Sequence, residues 1–163
     1  MIRYIKRYLA IRSYVRRLSQ DLPRRFGKRP FYSLEHVSQA LQREGCVPDL
    51  LPFYHTALNQ ELLGNSALDC GLAFPHARLN GVRQLRFALG RADEPIIWGP
   101  KGSWPVQLVF LLAVPATEAA NYLPLLASLA RLGQQPELLA ELRGADTVET
   151  ILGVLRKIRI RLG

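Results

Sequence analysis

The stretch Gly64-Asn65-Ser66-Ala67-Leu68-Asp69-Cys70-Gly71-Leu72-Ala73-Phe74-Pro75-His76-Ala77-Arg78 decides the fold. Gly71 to Phe74 reads as a short apolar strand that stops at Pro75, which has no N–H to give to a ladder. His76 then stands at a strand end, where α/β folds place their sites. Upstream, Ser33 is the expected N-cap of a short helix through Leu34, Val37 and Leu41. Pro48 can open a second helix to about Leu63, closed by Gly64. Downstream, Leu85, Phe87 and Leu89, then Ile96, Ile97 and Trp98, mark two more short strands. Val106 to Val114 is a fourth, nearly continuous in apolar residues, as the centre of a doubly covered sheet should be. Helical spacing returns at Leu123, Leu126, Leu129, Ala130 and Leu132. Pro136 starts a short helix, and Asp146 with Glu149 makes a capping-box-like start for a last one through Ile151, Leu152, Leu155 and Ile158. Helices before and after a group of strands predict a layered α/β domain.

Charge divides the chain differently. Its 163 residues hold 22 Lys and Arg against 13 Asp and Glu. Residues 1–30 contribute ten of those bases and one acid, Asp21, which is the whole excess, so residues 31–163 balance. Ile2, Ile5, Leu9, Ile11, Val15 and Leu18, with Tyr4, Tyr8 and Tyr14, give residues 2–19 the pattern of a basic amphipathic helix. Asp21, Pro23, Gly27 and Pro30 end it, predicting a boundary between an extension, 1–30, and a domain, 31–163. Cys46 and Cys70 form no CxxC and sit by no histidine cluster, so reduced thiols are expected, with neither a disulfide framework nor a zinc site. The longest apolar run, Leu108 to Ala116, is half the length of a membrane span, and charges interrupt the N-terminus too often for a secretory signal. A cytoplasmic protein is expected, with residues 1–30 available to hold it at a membrane.

The Gly71-Leu72-Ala73-Phe74-Pro75-His76 core and the loop before it resemble the Gly-Ser-Thr-Gly-Ile-Gly-x-Gly-Ile-Ala-Ile-Pro-His signature of phosphotransferase-system enzyme IIA domains of the fructose/mannitol/nitrogen type. Val106 to Pro115 is similar to that family's central strand, and Tyr122 to Ala130 to the helix that normally begins His-Leu. The resemblance runs from about residue 33 to 157. It implies a mixed sheet of about four to five strands flanked by helices, no cofactor and no metal. It also implies a phosphoryl relay in which a phosphohistidine carrier protein donates to His76, for regulation rather than sugar transport.

That chemistry asks for a neutral imidazole with a lone pair, and for donors around the phosphoryl oxygens. On the resemblance, Ser66 keeps the hydroxyl of the family's Thr, Gln60 stands where the family has Arg before Glu61, and Tyr122 stands for its second His. Gln60 is a neutral donor where Arg is a charged fork, and Tyr122 keeps a hydroxyl but not a cation. Arg78, two residues beyond His76, can compensate, whereas Asp69 would repel phosphate if it faced the pocket. His36 and His55 read as ordinary surface or helix-packing residues. A second reading keeps the fold without the relay: a binding module that regulates a partner by contact. The relay predicts that Ser66, Tyr122, Arg78 and backbone amides converge on the His76 ring; the module predicts that Asp69 or an apolar side chain covers it. The basic helix has four readings: anionic lipid, an acidic partner protein, packing back on the domain, and nucleic acid. The last is the weakest, because no DNA- or RNA-reading motif accompanies it.

Overall fold

The computed structural model describes residues 30–98, 104–118 and 120–158. The expected helix over 2–19 and most of the boundary after it lie outside the described residues. Two helices come first, α1 (Pro30–Arg43) and α2 (Leu50–Leu63). The first begins three residues ahead of Ser33, so Pro30 opens a helix instead of closing the linker, a position its fixed φ suits. The second is capped by Asp49, whose carboxylate accepts from the Leu51 amide at 3.3 Å. The start therefore belongs to the acid after Pro48 and not to the proline. Gly64 ends α2 as expected, its amide reaching Gln60 O.

Four strands follow: β1 (Leu72–Ala73), β2 (His76–Leu79), β3 (Arg86–Trp98) and β4 (Trp104–Pro115). Leu72 faces Leu108 and His76 faces Leu112, both parallel, so β1 and β2 keep one register across the Phe74-Pro75 break. They form one ribbon interrupted by a proline. Pro75 still contributes its carbonyl, which accepts from Leu112 N at 2.9 Å. His76 is thus the first residue of a resumed strand, where the sequence suggested a loop. On the other edge of β4, β3 runs antiparallel. The two short strands read around Leu85–Leu89 and Ile96–Trp98 are a single strand, and between Arg91 and Ile96 its register against β4 shifts. Pro95 lies in that exposed interval, where a residue without an N–H is tolerated.

After the sheet come α3 (Tyr122–Ala130), a 3₁₀ turn (Arg131–Gln134), α4 (Pro136–Gly144) and α5 (Val148–Lys157). Thr147 caps α5, its Oγ1 accepting from Thr150 N at 3.1 Å, in place of the expected Asp146 and Glu149 pair. Alternation along β4 sends side chains to two layers. Leu108, Phe110, Leu112 and Val114 join Leu72 and Phe74 against α3, α4 and α5. Leu111 and Ala113 join Ala77 against α1 and α2. Phe110 stacks on Phe74 at 5.6 Å between centroids and tilts against Phe87 at 5.8 Å, pairs contributing about 0.5–1.5 kcal/mol each beyond burial. The sheet is therefore mixed and covered on both faces, and the strand carrying His76 has Leu72 and Phe74 on its α3 side.

Candidate functional site around His76

Residues 72, 74, 76 and 78 share one face of the interrupted strand. The first two fill the core, while His76 and Arg78, at the far end, meet the start of α3. There the Tyr122 ring lies 5.3 Å from the His76 ring at 45°, and the Arg78 guanidinium carbon sits 5.7 Å from the Tyr122 ring centroid. Burial pushes the Tyr122 phenol above its ordinary value, and the nearby Arg78 charge only partly offsets this. Tyr122 therefore remains a protonated hydroxyl donor across the neutral range. His76 is half-buried. Its Nδ1 is fully buried and meets no hydrogen-bond partner among the described residues, so Nε2 is the ring nitrogen that reaches solvent.

The loop before β1 is fastened from two sides. Glu61, 5% exposed, projects from the last turn of α2. Its Oε2 accepts from Trp98 Nε1 at 2.7 Å and from Ser66 N at 3.2 Å. Ser66 in turn accepts the Phe74 amide on its Oγ at 3.1 Å. That bond uses a lone pair and leaves the hydroxyl proton available to donate. Opposite, Arg143 donates to Cys70 O. Arg91 of β3 holds the end of α4 by donating to Arg143 O at 3.0 Å and also to Ala145 O, satisfying carbonyls that a helix C-terminus leaves open. Gly71, at φ +85°, turns the loop into β1, and a Cβ there would stand 2.7 Å from Arg143 Nη2.

Of the residues singled out from sequence, His76, Tyr122 and Arg78 are brought together. Ser66 is tied to the backbone two residues before His76. Gln60 is exposed at the end of α2, and among the described residues no hydrogen bond joins its side chain to His76. Asp69 is exposed in the turn of the loop. Of the other histidines, His36 is buried and His55 is exposed beside Tyr54. Sequence reasoning gave no role to three neighbours. Glu61 was read only as the partner of position 60, and Trp98 only as a strand residue; a carboxylate on a helix's buried face was the available signal. Glu118 was missed altogether. It accepts on Oε1 from Ala120 N at 3.0 Å and Asn121 N at 2.9 Å, closing the start of α3. These amides, the Asn121 bond foremost, hold its carboxyl below the ordinary value, with Arg78 adding to the effect. An acid just ahead of a helix start was the signal there.

The arrangement offers a half-buried imidazole at the start of β2, beside the Tyr122 ring over which the Arg78 guanidinium lies, with a further hydroxyl on the loop before β1. The chain is similar to several known proteins. A nitrogen regulatory protein of Bradyrhizobium diazoefficiens is 33% identical over 102 residues, covering 63% of this chain and 67% of that protein. The 2-O-alpha-mannosyl-D-glycerate-specific EIIABC component of Escherichia coli is 32% identical over 125 residues, 76% of this chain but only 19% of that much longer protein. The crystal structure of nitrogen regulatory protein IIA-Ntr from Neisseria meningitidis superposes with a TM-score of 0.68 at 29% identity, over 77% of this chain and 86% of that one. Residues 33–158, from the first turns of α1 to the end of α5, match the family described as phosphoenolpyruvate-dependent sugar phosphotransferase system, EIIA 2, and the chain belongs to that family.

Proposed function

We propose that this protein is a phosphocarrier with a regulatory role, and that His76 Nε2 is the atom that carries the phosphoryl group. The observation that carries this reading is the contrast within one ring: Nδ1 is buried and unpartnered while Nε2 is not, in a ring 5.3 Å from that of Tyr122, over which the Arg78 guanidinium lies. The donor is a phosphohistidine carrier protein. The Nε2 lone pair attacks phosphorus as the donor's N–P bond breaks, and that bond's electron pair returns to the donor imidazole. Tyr122 and Ser66 then offer O–H donors to the phosphoryl oxygens, and Arg78 offers charge. Exposed leucines stand on the elements next to the site: Leu63 at the end of α2, 87% exposed, Leu68 in the loop before β1, and Leu123 beside Tyr122, 63% exposed. An apolar rim around a polar centre suits a protein donor. Among the described residues no helix is long and apolar enough to cross a membrane. The similarity to nitrogen regulatory proteins favours regulation over transport.

Intact-mass measurement after incubation with phosphoenolpyruvate, enzyme I and the phosphohistidine carrier, at neutral to alkaline pH, tests this. One added phosphoryl group in the wild type and none in His76→Ala is the expected result. No added mass on a folded protein, beside a control domain that is phosphorylated, would leave the contact-only binding module as the function.

A further inference from the structure

Asn121 stands at the N-cap of α3, a position its residue type favours because the side chain can cap the helix. Here it caps nothing. The Glu118 carboxylate takes the Asn121 backbone amide instead, and the Asn121 side chain lies close enough to help hold that carboxyl below its ordinary value. Only the Nδ2 end of an amide can donate to a carboxylate, so the Glu118 charge favours turning that end of Asn121 toward itself. The Oδ1 end is left buried with no hydrogen-bond partner among the described residues.

His76 Nδ1 is the complementary orphan, also buried and unpartnered. Asn121 is the immediate neighbour of Tyr122, whose ring lies 5.3 Å from the His76 ring. One group is an acceptor without a donor; the other, when protonated, is a donor without an acceptor. Buried polar atoms in folded proteins are satisfied in the great majority, by protein or by ordered water. We propose that Asn121 Oδ1 takes the Nδ1–H of His76 through one buried water, and is a positioning residue for phosphoryl transfer.

The consequence is chemical. Holding the proton on Nδ1 leaves the lone pair on Nε2, the nitrogen that reaches solvent. As an Nε2–P bond forms, positive charge develops on the ring and Nδ1–H becomes a stronger donor. The carbonyl acceptor therefore gains strength where it stabilises the transition state. Glu118, Asn121 and His76 make an acid–amide–imidazole series in which the acid orients the amide and the amide orients the ring.

This inference rests on the role proposed for His76, but the ring's tautomer is measured with no phosphoryl donor present, so either can fail alone. The experiment is ¹⁵N–¹H correlation of the imidazole nitrogens of the full chain across a pH titration, for wild type, Asn121→Leu and Asn121→Asp. In the wild type, neutral His76 is expected as the Nδ1–H tautomer. Asn121→Leu should move the population toward Nε2–H. Asn121→Asp keeps an acceptor and brings a carboxylate, so it should retain Nδ1–H and raise the His76 titration midpoint by about one unit or more. Predominant Nε2–H in the wild type overturns the inference, as does a His76 tautomer unchanged in Asn121→Leu. If Asn121→Leu does not fold, an unmoved midpoint in Asn121→Asp overturns it equally.

Discussion

Removing the Glu61 carboxylate should destabilise the whole domain, because it joins α2, the end of β3 and the loop before β1. Its Oε2 meets Trp98 Nε1 at 2.7 Å and Ser66 N at 3.2 Å, in a setting where Glu61 is 5% exposed and Trp98 is buried. A hydrogen bond to a charged partner contributes about 1.5–3 kcal/mol, and a buried donor left unmet loses that and its hydration. The shorter bond counts near the upper figure and the longer one near the lower. The carboxylate's own desolvation cost is recovered when it is removed, which trims the sum. Glu61→Ala should therefore cost about 3 kcal/mol, and with a urea m-value of about 2 kcal/mol per molar the midpoint should fall by about 1.5 M. Glu61→Gln, which keeps an acceptor without the charge, should lose about half of that. Far-UV circular dichroism in urea measures both. A double-mutant cycle with Trp98→Phe isolates the shorter bond, since Glu61→Ala leaves the indole N–H unmet only while the indole is present. A coupling energy of about 1.5 kcal/mol or more is expected. Additivity within about 0.5 kcal/mol, or a Glu61→Ala midpoint unchanged from wild type, refutes the claim that this carboxylate holds the loop.

Four further outcomes are expected. Gly71→Ala forces a Cβ onto a φ of +85° and against Arg143 Nη2; at about 1–2 kcal/mol it should lower the calorimetric Tm by several degrees, and an unchanged Tm contradicts the strained turn. Tyr122→Phe removes one O–H donor to a charged group, worth about 1.5–3 kcal/mol, so phosphorylation of His76 should slow about tenfold to hundredfold while Tyr122→His should not slow it; a Phe variant at the wild-type rate removes the hydroxyl from the mechanism. Because burial raises the Tyr122 pKa, the folded state favours the neutral phenol. Stability from this group is complete below the ordinary tyrosine value and is lost as pH rises through the raised one, and a wild-type-minus-Tyr122→Phe absorbance titration should show an ionisation later than a free tyrosine. Leu63→Asp and Leu123→Asp should raise the KM for the donor protein and leave the single-turnover rate at saturation near wild type; a change confined to that rate argues against docking there.

What could be read in the sequence was what repeats locally. Val106 to Val114 announced a central strand because burial on both faces leaves no polar alternation to interpret, and β4 does receive side chains from both layers. The helix starts were placed one to three residues off because caps compete at short range: Asp49 won over Pro48, and Thr147 over Asp146. Pro75 was read as the end of a strand, correctly for its missing N–H. Its carbonyl and the unbroken register with β4 are tertiary facts, and they made His76 the start of β2. At the site, His76, Arg78 and Tyr122 came from a motif and a resemblance. Their approach needed α3 to pack on the face that β2 shares with Phe74, which no spacing encodes. Glu61 and Glu118 act through partners 37 and 3 positions away in sequence, so a sequence signal could mark the acids while only the fold shows what they hold.

On the proposed reading, the electrostatics of the pocket constrain how the protein would work. An arginine fork and a second histidine would hold a phosphoryl dianion by two cations. Here position 60 is a glutamine facing solvent and position 122 a neutral phenol, and the guanidinium of Arg78 lies over that phenol ring. That charge is shared, because Arg78 lies over Tyr122 and also acts on the Glu118 carboxylate. An arriving phosphoryl group would compete with Glu118 for it. Each lost charge-assisted bond is worth about 1.5–3 kcal/mol, so with two lost and Arg78 standing in for one, the phosphorylated form is less stable relative to the donor than in a two-cation pocket by roughly one to two orders of magnitude in the exchange constant. A carrier of that kind stores little phosphoryl group, and its phosphorylated fraction tracks the state of its donor closely. That property suits a reporter of upstream phosphorylation better than a reservoir for transport, and it follows from the same two substitutions that separate this site from its family's motif.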